Sequence, residues 1–169
     1  MATPALNRVA PEVYVRGFDD AYSRIAQVTD SLLERVGAGE TVDLLEAFVP
    51  VFEALNWAAA LSHLESAGAI KIDMDVEELR ALRFARDRAH HHWVTALEIA
   101  DIHVARLLTN RGGVIAPMVV RAWVWVRLSK LPGRSDRKGE SSYKSKLAGN
   151  APGLVLENLS DGLNAYRQP

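Results

Sequence analysis

Apolar side chains recur at intervals of three and four residues through much of this 169-residue chain. That spacing is the period of an amphipathic α-helix with one buried face. It extends over residues 18–36, 44–66 and 76–109, and glycines lie between the three stretches. Glycine commonly ends helices because it adopts the backbone conformation that follows the last turn. The pattern therefore predicts an all-α fold, a small antiparallel helical bundle.

Individual residues refine the ends and lengths of the three predicted helices. Thr41 and Asp75 precede the second and third stretches, and both are residue types that cap helices. Pro50 lies inside the second stretch and predicts a kink or a restart. The third helix would be about 50 Å long, whereas a domain of this size is only about 40 Å across. We therefore expect this long helix either to bend between Glu98 and Asp101 or to project towards a partner.

The chain divides into three predicted regions. They are an irregular lead-in over residues 1–17, a helical bundle over 18–110 and a basic C-terminal extension over 111–169 that packs on the bundle. Residues 114–128 are rich in Val and Trp and alternate weakly, which favours a strand or hairpin arm, although Pro117 limits its pairing. A polar, basic loop over 131–139 follows, and then two short helices over 143–147 and 154–166.

Composition excludes several classes of protein. The chain has no cysteine, so it has no disulfide framework, no thiolate zinc site and no thiol nucleophile. No run approaches the ~18 apolar residues of a transmembrane helix, and the first twenty residues lack the apolar stretch of a signal peptide. We therefore expect a cytoplasmic protein that makes no membrane contact. Walker, Rossmann, zincin and Ser-His-Asp patterns are also missing from the sequence.

The net charge of −1 conceals two halves of opposite sign. Residues 1–79 carry five Lys or Arg and fourteen Asp or Glu, whereas residues 80–169 carry fifteen and seven. A basic half either attracts phosphates or pairs with the acidic half, within one chain or across a dimer.

Basic residues are dense in residues 127–146, directly after Trp123 and Trp125. Basic side chains beside aromatic rings bind single-stranded RNA through charge and stacking. Arg134 and Lys138 are the candidate RNA contacts in this segment. In the alternative interpretation both tryptophans pack on the bundle and the loop is only solvated.

The stretch that most suggests a functional site is 81–93, ALRFARDRAHHHW. On a helical wheel, Arg86 and His90 fall on the apolar face, and Asp87 and His91 lie beside it. A charged or polar side chain on a buried face is costly unless it has a partner, and such positions are often functional. The stretch therefore indicates either a functional site or a polar contact between helices.

Three interpretations of this stretch compete. Asp87 and His91 are four residues apart, as two metal ligands on one helix are. The third ligand would come from elsewhere in the chain: His63, Glu98 or His103. Three adjacent histidines point in three directions on a helix, however, which disfavours a metal cluster. Alternatively, Arg86 bridges two helices by pairing with an acidic residue of the N-terminal half, or the stretch is a site for phosphate chemistry.

Arg86, Asp87 and His91 resemble the motif of the HEPN superfamily of small all-α domains. That motif is an arginine, a polar residue, three further residues and a histidine. The spacing from Arg83 to His90 also fits the range of the family. Active members are metal-independent endoribonucleases that act as dimers, with the motif helices of two subunits facing across a cleft.

The resemblance implies that Arg86 and His91 carry RNA cleavage, with Asp87 and His90 assisting. Arginine grips phosphate with two hydrogen bonds and stabilises charge that develops on the phosphoryl group. Histidine, with an ordinary pKa of ~6.5, moves a proton from the ribose 2′-hydroxyl or to the leaving oxygen. Further basic side chains would contact the RNA substrate: Arg83, Arg88, Arg134 and Lys138.

The resemblance also implies a homodimer that needs no metal ion or other cofactor. It suggests a toxin or phage-defence role, with an antitoxin or another protein as a partner. One branch of the family carries a tyrosine, modified by a partner nucleotidyltransferase, at the position of Trp93, so that regulation is not expected here. The alternative function is a non-catalytic homodimeric interaction or nucleotide-binding module, in which the Arg and His side chains only hold the dimer together.

Overall fold

The computed structural model describes residues 10–91, 96–108, 114–130 and 137–167. Within these ranges the chain forms five α-helices and one antiparallel pair of strands. The elements in chain order are α1 (Pro11–Gly37), α2 (Leu44–Ser66), α3 (Val76–His91), β1 (Leu97–Leu108), β2 (Val114–Trp125), α4 (Arg137–Lys146) and α5 (Pro152–Gly162), with 3-10 turns at Leu128–Lys130 and Asn164–Tyr166. The mostly helical class predicted from the apolar period is confirmed, with a small two-stranded sheet added to it.

Helix α1 begins at Pro11, inside the predicted irregular lead-in. Proline suits the first helical position because its fixed φ is helical and its missing N–H needs no partner there. The prediction of an irregular chain is therefore wrong for residues 11–17. Gly17 lies within α1, where a Cβ would be 2.5 Å from Cε2 of Trp57 on α2. The glycine lets α1 and α2 pack closely around the tryptophan ring.

Helix α2 is capped by Asp43 rather than by the predicted Thr41. The Asp43 carboxylate accepts a hydrogen bond from the backbone N–H of Leu45, with an N···O distance of 2.9 Å. The helix continues through the buried Pro50 as one element, so the prediction of a restart there is wrong.

Helix α2 is central to the helical part of the fold. It packs against α1 on one side and α3 on the other. Within the described residues, α2 alone has the length and composition of a membrane-crossing helix, with a mean hydropathy of 1.4 in its most apolar window. Of that window 44% is buried inside the protein, and core helices of soluble proteins also reach this length and composition.

Helix α3 begins as the sequence predicts but is shorter. The Asp75 carboxylate caps it by accepting a hydrogen bond from the N–H of Glu77, with an N···O distance of 2.9 Å. The helix ends at His91, so the prediction of one long helix over residues 76–109 is wrong in its second half. A bend or projection of that long helix is therefore not needed to fit the domain.

Residues 97–108 form strand β1 and pair with β2, the strand that the Val- and Trp-rich stretch predicts. The pairing runs from Leu97 opposite Trp125 to Leu108 opposite Val114. The apolar residues of β1 fit both a helical and an alternating period, so the pattern alone was ambiguous. The strand is favoured because β2 needs a neighbour to satisfy its backbone N–H and C=O groups.

Helices α4 and α5 complete a single hydrophobic core that includes residues from all five helices and from the base of the hairpin. On α4, the Tyr143 hydroxyl donates to the backbone oxygen of Val126 at 2.7 Å, and its ring lies 5.7 Å from that of Phe84 on α3. Beyond α5, Arg167 pairs with Asp19 of α1 at 2.5 Å. The C-terminal end of the described chain is therefore held against α1.

Candidate functional site

Helices α2 and α3 run antiparallel, and their facing side chains form what we call the polar seam. Its contacts, in order along α3, are Arg83 with Ser62 and Ser66, Arg86 with Asn56, and His90 with Phe52. The partners on α2 come earlier in the chain as α3 advances, which establishes the antiparallel direction. The seam therefore places Arg83, Arg86 and His90 against one face of α2.

A groove of about 410 Å³ opens along the polar seam. Its lining comes from α3 (Arg83, Arg86, Asp87) and from α2 (Asn56, Ala59, Ala60, His63, Ser66). The two alanine side chains are short, which leaves room above the α2 wall. The volume lies within the range of about 300–1,000 Å³ that is typical of small-ligand sites. The groove thus gathers two guanidinium groups and one imidazole around a space that a phosphate group can enter.

Arg86 is held in the groove by two hydrogen bonds. Its Nε donates to Oδ1 of Asn56 at 3.3 Å, and its Nη1 donates to Oδ1 of Asp87 at 3.1 Å. The side chain is 34% exposed, so part of it reaches the surface. The interhelical partner of Arg86 is an amide of α2, whereas the sequence interpretation expected an acidic residue. Within the described residues its Nη2 has no hydrogen bond, so that nitrogen can donate to a ligand.

Arg83 lies one turn before Arg86 on the same wall. Its Nη2 donates to the backbone oxygen of Ser62 at 3.1 Å and to Oγ of Ser66 at 3.2 Å. No acidic side chain pairs with it in the described part of the chain. A cation without a counter-ion beside a second cation favours a bound anion.

The two remaining described residues of the motif lie outside the groove. The exposed ring of His90 is 5.3 Å from the ring of Phe52, at the end of the seam away from Arg83. The guanidinium of Arg88 lies 5.2 Å over the ring of Phe84, which packs against α4. Arg88 is therefore on another side of α3 and does not share the site with Arg86.

Three predicted site residues fall partly or wholly outside the described structure. His91 is the last residue of α3, and its side chain is not described. Lys138 belongs to α4, again without a described side chain, and Arg134 lies outside the described residues. Their predicted roles in cleavage and in RNA binding stay predictions.

The possible metal ligands do not form a described cluster. No three His, Asp or Glu side chains lie close enough to hold an ion within the described residues. Glu98, one candidate third ligand, accepts a hydrogen bond from Nζ of Lys130 at 2.7 Å. His103 has no described side chain. His63 does line the groove with Asp87, but Arg83 and Arg86 lie there too, and these cations suit an anion rather than a metal ion.

Trp123 and Trp125 are buried in the core, with exposed fractions of 2% and 0%. Their rings are not available for stacking on RNA bases, because stacking needs an exposed face. The interpretation that both tryptophans pack on the bundle is confirmed.

The opposite charges of the two halves are neutralised in part within the chain. Nζ of Lys146 lies 2.6 Å from Oδ2 of Asp75. The hydrogen bond from Lys146 lowers the pKa of the Asp75 carboxyl below its ordinary value, and the same contact raises the pKa of Lys146. Arg167 likewise joins Asp19 across the two halves. The groove arginines take no part in these pairs.

Comparison with protein-family models, curated proteins and solved structures found no match to this chain. The resemblance to the HEPN superfamily therefore rests on the motif in the sequence, Arg86, Asp87 and His91 or the looser spacing from Arg83 to His90.

Proposed function

We propose that this protein binds the phosphate groups of RNA in the groove between α2 and α3 and cleaves RNA without a metal ion. The observation that carries the proposal is the presence of Arg83, Arg86 and His63 in one groove. Arginine binds phosphate in a two-pronged, permanently charged contact, and histidine transfers protons near neutral pH. The HEPN-like motif, which shares Arg86 and Asp87 with the groove, supports the same chemistry.

The reaction would be an internal transfer at phosphorus. The ribose 2′-oxygen attacks the adjacent phosphorus, and the bond from phosphorus to the 5′-oxygen breaks. One group removes the proton of the 2′-hydroxyl, and another gives a proton to the departing 5′-oxygen. The products are a 2′,3′-cyclic phosphate and a 5′-hydroxyl, so no co-reactant is required.

The residues have distinct proposed roles. Arg86 stabilises the charge that develops on the phosphoryl oxygens, while Asp87 and Asn56 orient its guanidinium. His91 is a proton-transfer group by the resemblance, and His90 assists at the end of the seam. Arg83 holds the phosphate beside Arg86.

The active species in this proposal is a homodimer that brings two motif helices together. Large apolar side chains on α2 support a protein partner near the site, because Leu45 and Val49 are 41% and 57% exposed. Helical spacing puts both on the same face of α2 as Phe52 and Asn56. A toxin or phage-defence role in the cytoplasm, with an antitoxin as a second partner, extends the proposal.

The alternative is a non-catalytic interaction module, which one observation favours. The two described hydrogen bonds of Arg86 are made within the chain, and the one to Asn56 joins α3 to α2. If Arg86 is purely structural, Arg86→Gln lowers the melting temperature, and the wild type cleaves no RNA.

The test is cleavage of a random-sequence RNA pool by the full chain in excess chelator. We expect Arg86→Gln and His91→Ala each to reduce the rate about 100-fold or more, because each removes one transition-state group. Arg80→Gln is the matched control, since Arg80 is on the same helix but pairs with Glu77 outside the groove. Cleavage that persists in both site variants would overturn the proposal, and cleavage lost with chelator would point to a metal site at Asp87.

A further inference from the structure

His63 faces the groove from the α2 wall. Its side chain is exposed and has no hydrogen bond within the described residues. It follows Asn56 by seven residues, or two helical turns, which puts the two side chains on the same face of α2. The imidazole is therefore free to meet a ligand that enters between the two helices.

The charged groups around His63 make the groove suitable for an anion. Those that line it with His63 are Arg83, Arg86 and Asp87, all from α3. Asp87 bonds to Arg86, whereas Arg83 has only the two serine oxygens as described partners. Two arginines three residues apart on one helix face repel each other, and a bound phosphate would relieve that repulsion. A phosphate held there would lie beside the imidazole.

We infer that His63 carries one of the two proton transfers of RNA cleavage, next to a phosphate held by Arg83 and Arg86. The catalytic part of this inference rests on the proposed function, whereas the contact between His63 and phosphate does not. Cleavage through the 2′-oxygen needs one proton removed and one proton delivered, at positions on opposite sides of the phosphorus. His63 lies on the α2 wall opposite Arg83, whereas His90 lies opposite Phe52, so His63 supplies a proton carrier at the Arg83 end of the seam.

The first measurement detects the phosphate contact without any cleavage. Imidazole resonances of the full chain are recorded by NMR at neutral pH while inorganic phosphate is added, and His63→Gln assigns the His63 signals. We expect the His63 signals to shift saturably, the shift to disappear in Arg83→Gln, and Arg80→Gln to behave as wild type. His63 signals that do not move with phosphate would overturn the inference, whether or not the protein cleaves RNA.

The second measurement tests proton transfer. The wild type should show a bell-shaped dependence of kcat/KM on pH, and His63→Gln should lower its maximum about 100-fold and remove one limb of the bell. A purely structural role would leave both limbs in place. Because His63 is exposed, the melting temperature of His63→Gln should equal that of the wild type. Arg83→Gln should act mainly by raising KM.

These results separate the inference from the proposed function. If Arg86→Gln is inactive while His63→Gln keeps both limbs and cleaves within threefold of wild type, His63 is not a proton carrier and the proposed function stands. If phosphate shifts the His63 signals but the wild type cleaves no RNA, the proposed function fails, and the catalytic role of His63 fails as well. The loss of one limb together with a phosphate-dependent His63 shift supports the inference.

Discussion

At the scale of single residues, the close packing of Trp57 on Gly17 leaves no room for a larger side chain at residue 17. A Cβ on residue 17 would lie 2.5 Å from Cε2 of Trp57, so the ring or the helix must move. We expect Gly17→Ala to lower the free energy of unfolding by about 1–3 kcal/mol, the usual effect of overpacking. Chemical denaturation followed by circular dichroism measures this change.

Gly37→Ala is the control for that prediction. Nothing lies within 4 Å of a Cβ at residue 37, which is the last residue of α1. Its stability should match that of the wild type or rise slightly, since alanine is the better helix former. Equal stability of Gly17→Ala and wild type would mean that the tryptophan does not pack on the glycine.

The residues of the candidate site were predictable from sequence only in part. The helical wheel placed Arg86 towards a neighbouring helix, and Asp87 beside it, which is where the structure has them. The contribution of His63 depends on how α2 packs against α3, and no pattern within one helix reveals that. The role of Asn56 is hidden from the sequence for the same reason, because a lone asparagine on a helix belongs to no motif.

At the scale of elements, the residue that caps the N-terminus of α2 differs between the sequence prediction and the structure. The Asp43 carboxylate caps this helix, whereas Thr41 lies outside it and makes no described hydrogen bond with its side chain. We expect Asp43→Ala to cost about 1 kcal/mol of unfolding free energy, the usual loss for a cap. Thr41→Ala should change stability little, and a reversed order of the two variants in urea denaturation would refute the cap assignment.

The ion pair between α4 and the cap of α3 gives a pH-dependent prediction. The hydrogen bond from Lys146 lowers the pKa of the Asp75 carboxyl. The stability that the ionised carboxyl contributes is therefore present above the unfolded pKa of ~3.9 and is lost as pH falls through the folded value. The pKa of Lys146 is raised, so its contribution is lost only as pH rises through its folded value. The pair therefore stabilises the fold between about pH 4 and 10.

Thermal unfolding of Lys146→Met and wild type measures this contribution. The melting temperature of the variant should be the lower at pH 7, and the difference should shrink as pH falls towards 3. A difference that stays constant over this range would show that the variant acts through packing rather than through charge.

The sequence predicts the helices of this protein better than its strands. The first two helices and the start of α3 have a strong apolar period. Asp75 is both predicted and observed as the residue that caps α3. Strand β1 was missed because its apolar residues also match a helical period, and only its pairing with β2 decides between the two. Non-local pairing of this kind does not appear in a local pattern.

At the scale of the whole molecule, the exposed apolar face of α2 predicts self-association. The homodimer of the proposal should have a mass by light scattering about twice the 18.6 kDa of the chain at micromolar concentration. Val49→Asp should shift it to the monomer, because a charge within an apolar contact is costly. Val119→Asp on the hairpin is a matched control, since both valines are 57% exposed. A wild-type monomer would remove the dimer from the proposal.

The most direct test of the central claim is the chemistry of the RNA ends that the wild-type protein produces in excess chelator. A groove of arginine and histidine side chains acting on RNA through the 2′-oxygen should leave 2′,3′-cyclic phosphate and 5′-hydroxyl ends, at a rate unchanged by chelator. The same ends should form about 100-fold or more slowly with Arg86→Gln and at the wild-type rate with Arg80→Gln. Products with a 3′-hydroxyl and a 5′-phosphate, or no cleavage at all, would contradict the account.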